Sequence, residues 1–247
     1  PDGAIEPTVR LPRDSTGTPD TPGRVLTTGM VYARDRYAGD SLTREMLLAT
    51  SRDTVVLASH TVSVVREVAF TSCPVRLFRI PPYFSSELTI AVTPSDVVVQ
   101  RGGDWRVEWY DGTALREVWT RRVPVQPSTF ALLEQELEGG MRINFGSGTC
   151  TIPIEETARV RGMAPVLPAL RRIAVAPDGT LWAERYTPRG GTPSVDVLTR
   201  QGELLGTITG RGAPYGFLSG GRVVYAETDP DTDVASLVIL RVPGASW

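Results

Sequence analysis

Lysine is absent from this 247-residue chain, so all 26 of its basic residues are arginine. That removes the phosphate-gripping lysine of Walker loops and kinases, and every mechanism that runs through a lysine Schiff base. There is one histidine, His60, and no pair of cysteines spaced C-x-x-C. Multi-histidine zinc sites, the HExxH helix and thiolate zinc knuckles are therefore excluded. Asparagine occurs once, at Asn144, and cysteine twice, at Cys73 and Cys150. Long apolar runs are missing as well. A stretch such as LTIAV (88–92) is far short of the roughly 18 residues that span a bilayer, so no transmembrane helix is expected. Net charge is only -2, which leaves no global basic field for nucleic acid or an anionic membrane. Nucleic acid is thus not expected among the partners.

What is abundant is β-branched. Val (28) and Thr (27) supply 55 residues, and such side chains fit a pleated surface better than a helix. Apolar segments of five to nine residues alternate with Gly, Asp and Pro turns. The clearest unit joins RRIAVAPDGTLWAERY (171–186) to PSVDVLTRQGELLGTITG (193–210) and reads as four strands, with turns at Asp178-Gly179 and Gln201-Gly202. A matching unit covers 88–123, with turns at Pro94-Ser95-Asp96 and Asp111-Gly112. A weaker copy covers 24–64, and an incomplete one, 214–243, stops after three strands. Four antiparallel strands recurring about every forty residues is the period of propeller blades, each of which buries its faces only against its neighbours.

The turn in APDGTLWAERY is similar to the PDGxLW-like turn of six-bladed β-propellers of the broad NHL-type class, and the resemblance extends over 24–243 apart from two insertions. It implies an all-β propeller of four-stranded blades. Residues 1–12 resemble the outer strand of a preceding blade, so a C-terminal fragment of about four blades is expected. The alternative is a four-bladed ring in which residues 5–11 pair with 237–242. The insertions, 65–87 and 124–170, both run from an outer to an inner strand and so leave the same face. The second carries helix signals. Pro127-Ser128 is an entry, Phe130, Leu133 and Leu137 share one side, and Gly139-Gly140 is a stop; a further helix is expected from Pro153 to Arg161, ended by Gly162. This helical insertion is a candidate lid, the alternative being that it packs on the rim.

Candidate chemistry is sparse. Cys73 and Cys150 both fall in these insertions with no third cysteine to compete, which predicts a disulfide and an oxidising, extracytoplasmic location. Asp229, Asp231 and Asp233 begin like a calcium loop, but Val234 and Leu240 occupy its glycine and distal-acid positions. No metal site or cofactor is expected. GRGAPYG (210–216) and NFGSGTC (144–150) match no phosphate cradle and read as turns. Ser59 and His60 are strand neighbours pointing to opposite faces, so they form no dyad. Trp105 and Trp109 share a face and predict packing between blades. By position, Arg24, Tyr83, Arg101, Arg171, Arg189 and Tyr215 fall on the face that carries the insertions, where Arg forks and Tyr hydroxyls suit a protein or a small ligand. The expected function is a non-enzymatic binding or scaffold module. A metal-assisted hydrolase or lactonase with a cation in the channel is the alternative, and it needs carboxylate and amide donors that one asparagine hardly supplies.

Overall fold

The structure, a computed structural model, describes residues 24–26, 29–145, 148–228, 235–245 and 247. The chain is mostly β, as its composition requires, and its strands form small antiparallel sheets. The first contains β1 (Arg24–Leu26), β2 (Gly29–Ala38), β3 (Ser41–Ala49) and β4 (Thr54–Ser63), paired in chain order. The hairpin β5 (Val65–Ala69) and β6 (Arg76–Ile80) follows. A second four-stranded sheet has β7 (Leu88–Val92), β8 (Asp96–Arg101), β9 (Arg106–Asp111) and β10 (Ala114–Thr120). Next come helix α1 (Phe130–Leu137), the hairpin β11 (Met141–Phe145) and β12 (Gly148–Ile152), and helix α2 (Ile154–Arg161). The third four-stranded sheet holds β13 (Leu170–Val175), β14 (Leu181–Arg185), β15 (Ser194–Leu198) and β16 (Leu204–Thr209). A three-stranded sheet of β17 (Gly216–Leu218), β18 (Arg222–Thr228) and β19 (Ala235–Arg241) ends the chain.

The two-residue strand period decides how these sheets pack. In β8, Val97 and Val99 bury against Val31, Met46 and Leu48 of the first sheet, while Val98 between them faces the third sheet. In β13 and β14, Ile173, Val175, Leu181 and Ala183 complete that second layer around Trp105 and Trp109. Ala174 and Trp182 point the other way, onto Val223 and Tyr225 of the last sheet. The middle sheets are therefore buried on both faces, which is why VVV and LWA read as unbroken apolar runs. The expected packing role of Trp105 and Trp109 is met, at 2% and 0% exposure. Turns close where glycine supplies positive φ, as at Gly112 (56°) and Gly202 (83°).

The two insertions do more than the sequence signals indicate, since each contributes a hairpin that the periodicity did not reveal. Hairpins β5–β6 and β11–β12 and helix α2 share a small core of Val68, Phe70, Cys73 and Ile152. The Cys73–Cys150 disulfide crosses this core with a Cα separation of 6.0 Å, inside the range a bridge requires. A parallel bridge between Tyr83 and Met163 and a bond from Arg161 Nε to the Pro81 carbonyl (2.7 Å) tie the insertions together again. The first helix starts one residue later than expected, because Thr129 rather than Ser128 accepts from the Leu132 amide at its N-cap. Ser128 instead hydrogen-bonds the Ala164 carbonyl. The aspartates at 229–233, whose spacing only begins like a calcium loop, and the segment 5–11 lie outside the described residues.

Candidate functional site

Acids in the sheet interiors are the first place to look for chemistry, and three of them are spent on holding sheets together. Glu45 in β3 takes Arg34 and Arg36 (2.6 and 2.8 Å). Glu108 in β9, fully buried, takes Arg101, Arg106 and the Tyr110 hydroxyl. Asp196 in β15, also fully buried, takes Arg185 (2.8 Å), Arg121 (3.2 Å) and Thr207 (2.8 Å). In each four-stranded sheet the third strand thus carries an acid clamped by an arginine of the second strand and one further arginine. Burial alone raises the Glu108 carboxyl, but the bonds from Arg101, Arg106 and Tyr110 outweigh it and hold the group below the usual range. The same pairing, after burial, pushes the Tyr110 phenol up to about 12. These are internal staples with no capacity left for a ligand.

A cleft of 600 Å³ lies elsewhere, where β7 and β13 meet the segment before β17. Arg171 and Arg172 reach it from β13, Glu184 from β14, Tyr186 just beyond, Tyr215 from the approach to β17, and Tyr225 from β18. Register places Arg172 directly across from Glu184. Arg172 lies over the Tyr215 ring at 4.2 Å and stands 3.4 Å from the Glu184 carboxylate, which also accepts the Ala213 amide (2.8 Å). Gly212 lies against this carboxylate, and a Cβ there would come within 2.7 Å of Glu184 Oε2, so a side chain would displace it. Arg171 makes no ion pair among the described residues and is exposed. Burial and the nearby Glu136 push the Tyr186 phenol up to about 12, against the pull of Arg171. Tyr225 is raised too, by burial. Both therefore stay neutral hydroxyl donors at any physiological pH. A second, smaller opening along β7, β13 and β17 shares Arg172 and Tyr215 with this cleft.

Of the six residues singled out by position, the structure brings Arg171 and Tyr215 together in the cleft. The others go elsewhere. Arg24 opens β1, paired with Val31. Arg101 is committed to Glu108, and Arg189 bonds Glu138 (2.8 Å). Tyr83 stacks under Arg161 (3.9 Å) and donates to the Met141 sulfur. Arg172, Glu184, Tyr186 and Tyr225 were missed. Arg172 and Glu184 were only nearly within reach of sequence reasoning, since a two-residue turn at Asp178-Gly179 would set Arg172 opposite Arg185, and the loop in fact spans 177–179, with Ala176 paired to Thr180. Tyr225 was not, because nothing local says which face of β18 meets the cleft. His60 Nε2 bonds Ser86 Oγ at 2.9 Å, not Ser59, and burial lowers its pKa, so it is neutral at pH 7. Among the described residues no three His, Cys, Asp or Glu side chains converge as metal donors.

The fold class these elements define is all-β, built of small antiparallel sheets with one disulfide-bonded appendage. No family model and no curated protein matches the chain. Among solved structures it is similar to the AfRom2 CNH domain, at 10% identity and a TM-score of 0.29, over 96% of this chain and 71% of that one. That likeness is too low to bear on fold or function. Among the described residues no helix is long and apolar enough to cross a membrane.

Proposed function

We propose that the chain is a β-propeller of the NHL-type class, or part of one, and serves as a non-enzymatic, extracytoplasmic binding module. Four sheets of three or four strands, each antiparallel in chain order and joined face to face by shared apolar layers, support the propeller reading. The disulfide supports an oxidising compartment. The observation that carries the binding reading is the cleft in which Arg171, Arg172, Tyr186, Tyr215 and Tyr225 converge, with Phe84 and Ser85 at the edge of the disulfide-bonded appendage forming one wall. The appendage is the lid of that face. A free guanidinium, two neutral phenols and an exposed tyrosine ring bind by hydrogen bonding and stacking, and they include no nucleophile paired with a base.

The test is a ligand-observed NMR screen of a fragment library against the intact chain. Hits are expected to map to this cleft and to be lost in Tyr215→Ala and Arg171→Ala. Hits that scatter over the surface, or survive both variants, sink the reading. Thermal stabilisation by added Ca²⁺, reversed by chelator, would favour the hydrolase or lactonase instead.

A further inference from the structure

A second cleft, of 380 Å³, opens between the first sheet and the disulfide-bonded appendage. Only three non-glycine residues among those described have positive φ: Arg79 (55°), Phe84 (60°) and Glu138 (41°). Glu138 caps α1, where left-handed backbone is ordinary. The other two line this cleft. A side chain with a Cβ resists that conformation, and it persists where the surroundings fix it; such residues gather at ligand sites.

The strained backbone puts a cation in place. The Arg79 guanidinium lies 5.1 Å from the Tyr37 ring centroid, and Arg161 lies 3.9 Å from that of Tyr83. Neither makes an ion pair among the described residues. A guanidinium laid on an aromatic face keeps its in-plane N–H groups for an acceptor, and its geometry suits a carboxylate or phosphate. Arg44, also in the cleft, is consumed by two bonds to Asp35 (2.7 and 2.8 Å). Arg161 spends its Nε–H on the Pro81 carbonyl and keeps its terminal N–H groups; opposing the two cations, the one carboxylate of the lining without an ion pair among the described residues is Glu87, while His60 is neutral and occupied with Ser86. Leu42, Val62, Ile80 and Pro82 make the remaining wall apolar. The volume is that of a small-molecule site.

We propose that this cleft is a separate binding site for a small organic acid, an apolar body carrying a carboxylate or phosphate, with Arg79 and Arg161 as its anion contacts. The site adjoins the larger cleft across a shared wall of Phe84, Ser85 and Glu87, but it uses different cations and does not rest on the reading attached to that cleft.

The test titrates the intact chain with four probes of one size, followed by amide NMR: benzoate, phenyl phosphate, benzyl alcohol and benzamidine. At least one anion is expected to bind about tenfold tighter than the alcohol, with benzamidine weakest, and the preferred anion identifies carboxylate or phosphate as the native head group. Arg79→Asn and Arg161→Gln should each weaken that anion about tenfold, and Glu87→Gln should tighten it. Because asparagine tolerates positive φ, Arg79→Asn should leave the Tm unchanged or raise it. The proposal is overturned if the alcohol binds as well as the anions, if no probe binds at about 10 mM, or if Arg171→Ala rather than Arg79→Asn removes binding. A fall in Tm with anion binding retained in Arg79→Asn assigns that residue to packing and overturns it as well.

Discussion

Glu156 shows how a single carboxylate fastens one part of this protein to another. It sits in the first turn of α2 and reaches across to accept from Ser72 and Thr71, including the Thr71 amide at 2.5 Å and hydroxyl at 2.7 Å. Those bonds, from Ser72 and then Thr71, hold its pKa down to about 2. The folded value lies below the unfolded one of about 4.3, so the stabilisation is complete above that pH and fades as pH falls towards 2. The protection factor of the Thr71 amide, with the intrinsic pH dependence of exchange divided out, should therefore fall between about pH 4.3 and 2 in the wild type. It should be low and independent of pH over the same window in Glu156→Gln; identical protection profiles for the two proteins would disprove the linkage. Glu108 poses the same question in the sheet interior. Glu108→Gln keeps the shape but loses the charge in bonds to Arg101, Arg106 and Tyr110, and should cost about 1.5–3 kcal/mol in urea denaturation. A loss below about 0.5 kcal/mol would mean the arginines find water at no expense.

At the level of elements, the appendage has its own core and needs its own fastening. Its two halves are separated by 77 positions in sequence and touch the sheets mainly through Tyr83, Phe84 and the residues around Leu167. Replacing Cys73 and Cys150 together by Ser should lower stability by about 2–4 kcal/mol. The loss should appear first as faster amide exchange in β5, β6, β11 and β12, with the Trp105–Trp109 layer still protected. Simultaneous loss of protection everywhere would show that the appendage and the sheets unfold as one unit. The same contrast explains what was legible in advance. β9 and β10, and β13 and β14, announced themselves as short apolar segments flanking Asp-Gly turns, and α1 and α2 through Gly139-Gly140 and Gly162, because these are local signals. Hairpins β5–β6 and β11–β12 are short and half-exposed, so neither alternates cleanly; their pairing depends on each other and on α2. Cys73–Cys150 was readable only because no third cysteine exists. The cleft was half readable. Arg171 and Tyr215 follow from their place at the start of a first strand, whereas Arg101 and Arg189, at the end of a second strand and in the loop after one, were expected on the same face and are taken by Glu108 and Glu138, a choice that only side-chain packing makes.

Across the whole molecule, the repeated sheets make a comparison possible that no single sheet allows. The third strands β3, β9 and β15 are buried along much of their length, with Leu47, Trp109 and Leu198 at 1%, 0% and 1% exposure. Strand β19 holds the third place in the last sheet, yet Leu237 and Ile239 are 74% and 53% exposed. Among the described residues no strand pairs with its outer edge. An exposed apolar strand with unpaired backbone is a template for another strand, and proteins that keep such an edge normally cover or charge it. The 247-residue chain studied alone is therefore expected to associate as its concentration rises, through β19 of one copy against β19 of another. Sedimentation velocity over a dilution series should show the shift in mass, and Leu237→Arg should abolish it at little cost in Tm, since that side chain is already in water. Association that persists unchanged in Leu237→Arg would place the sticky surface elsewhere, with Phe78 of the appendage, 62% exposed, the next to mutate.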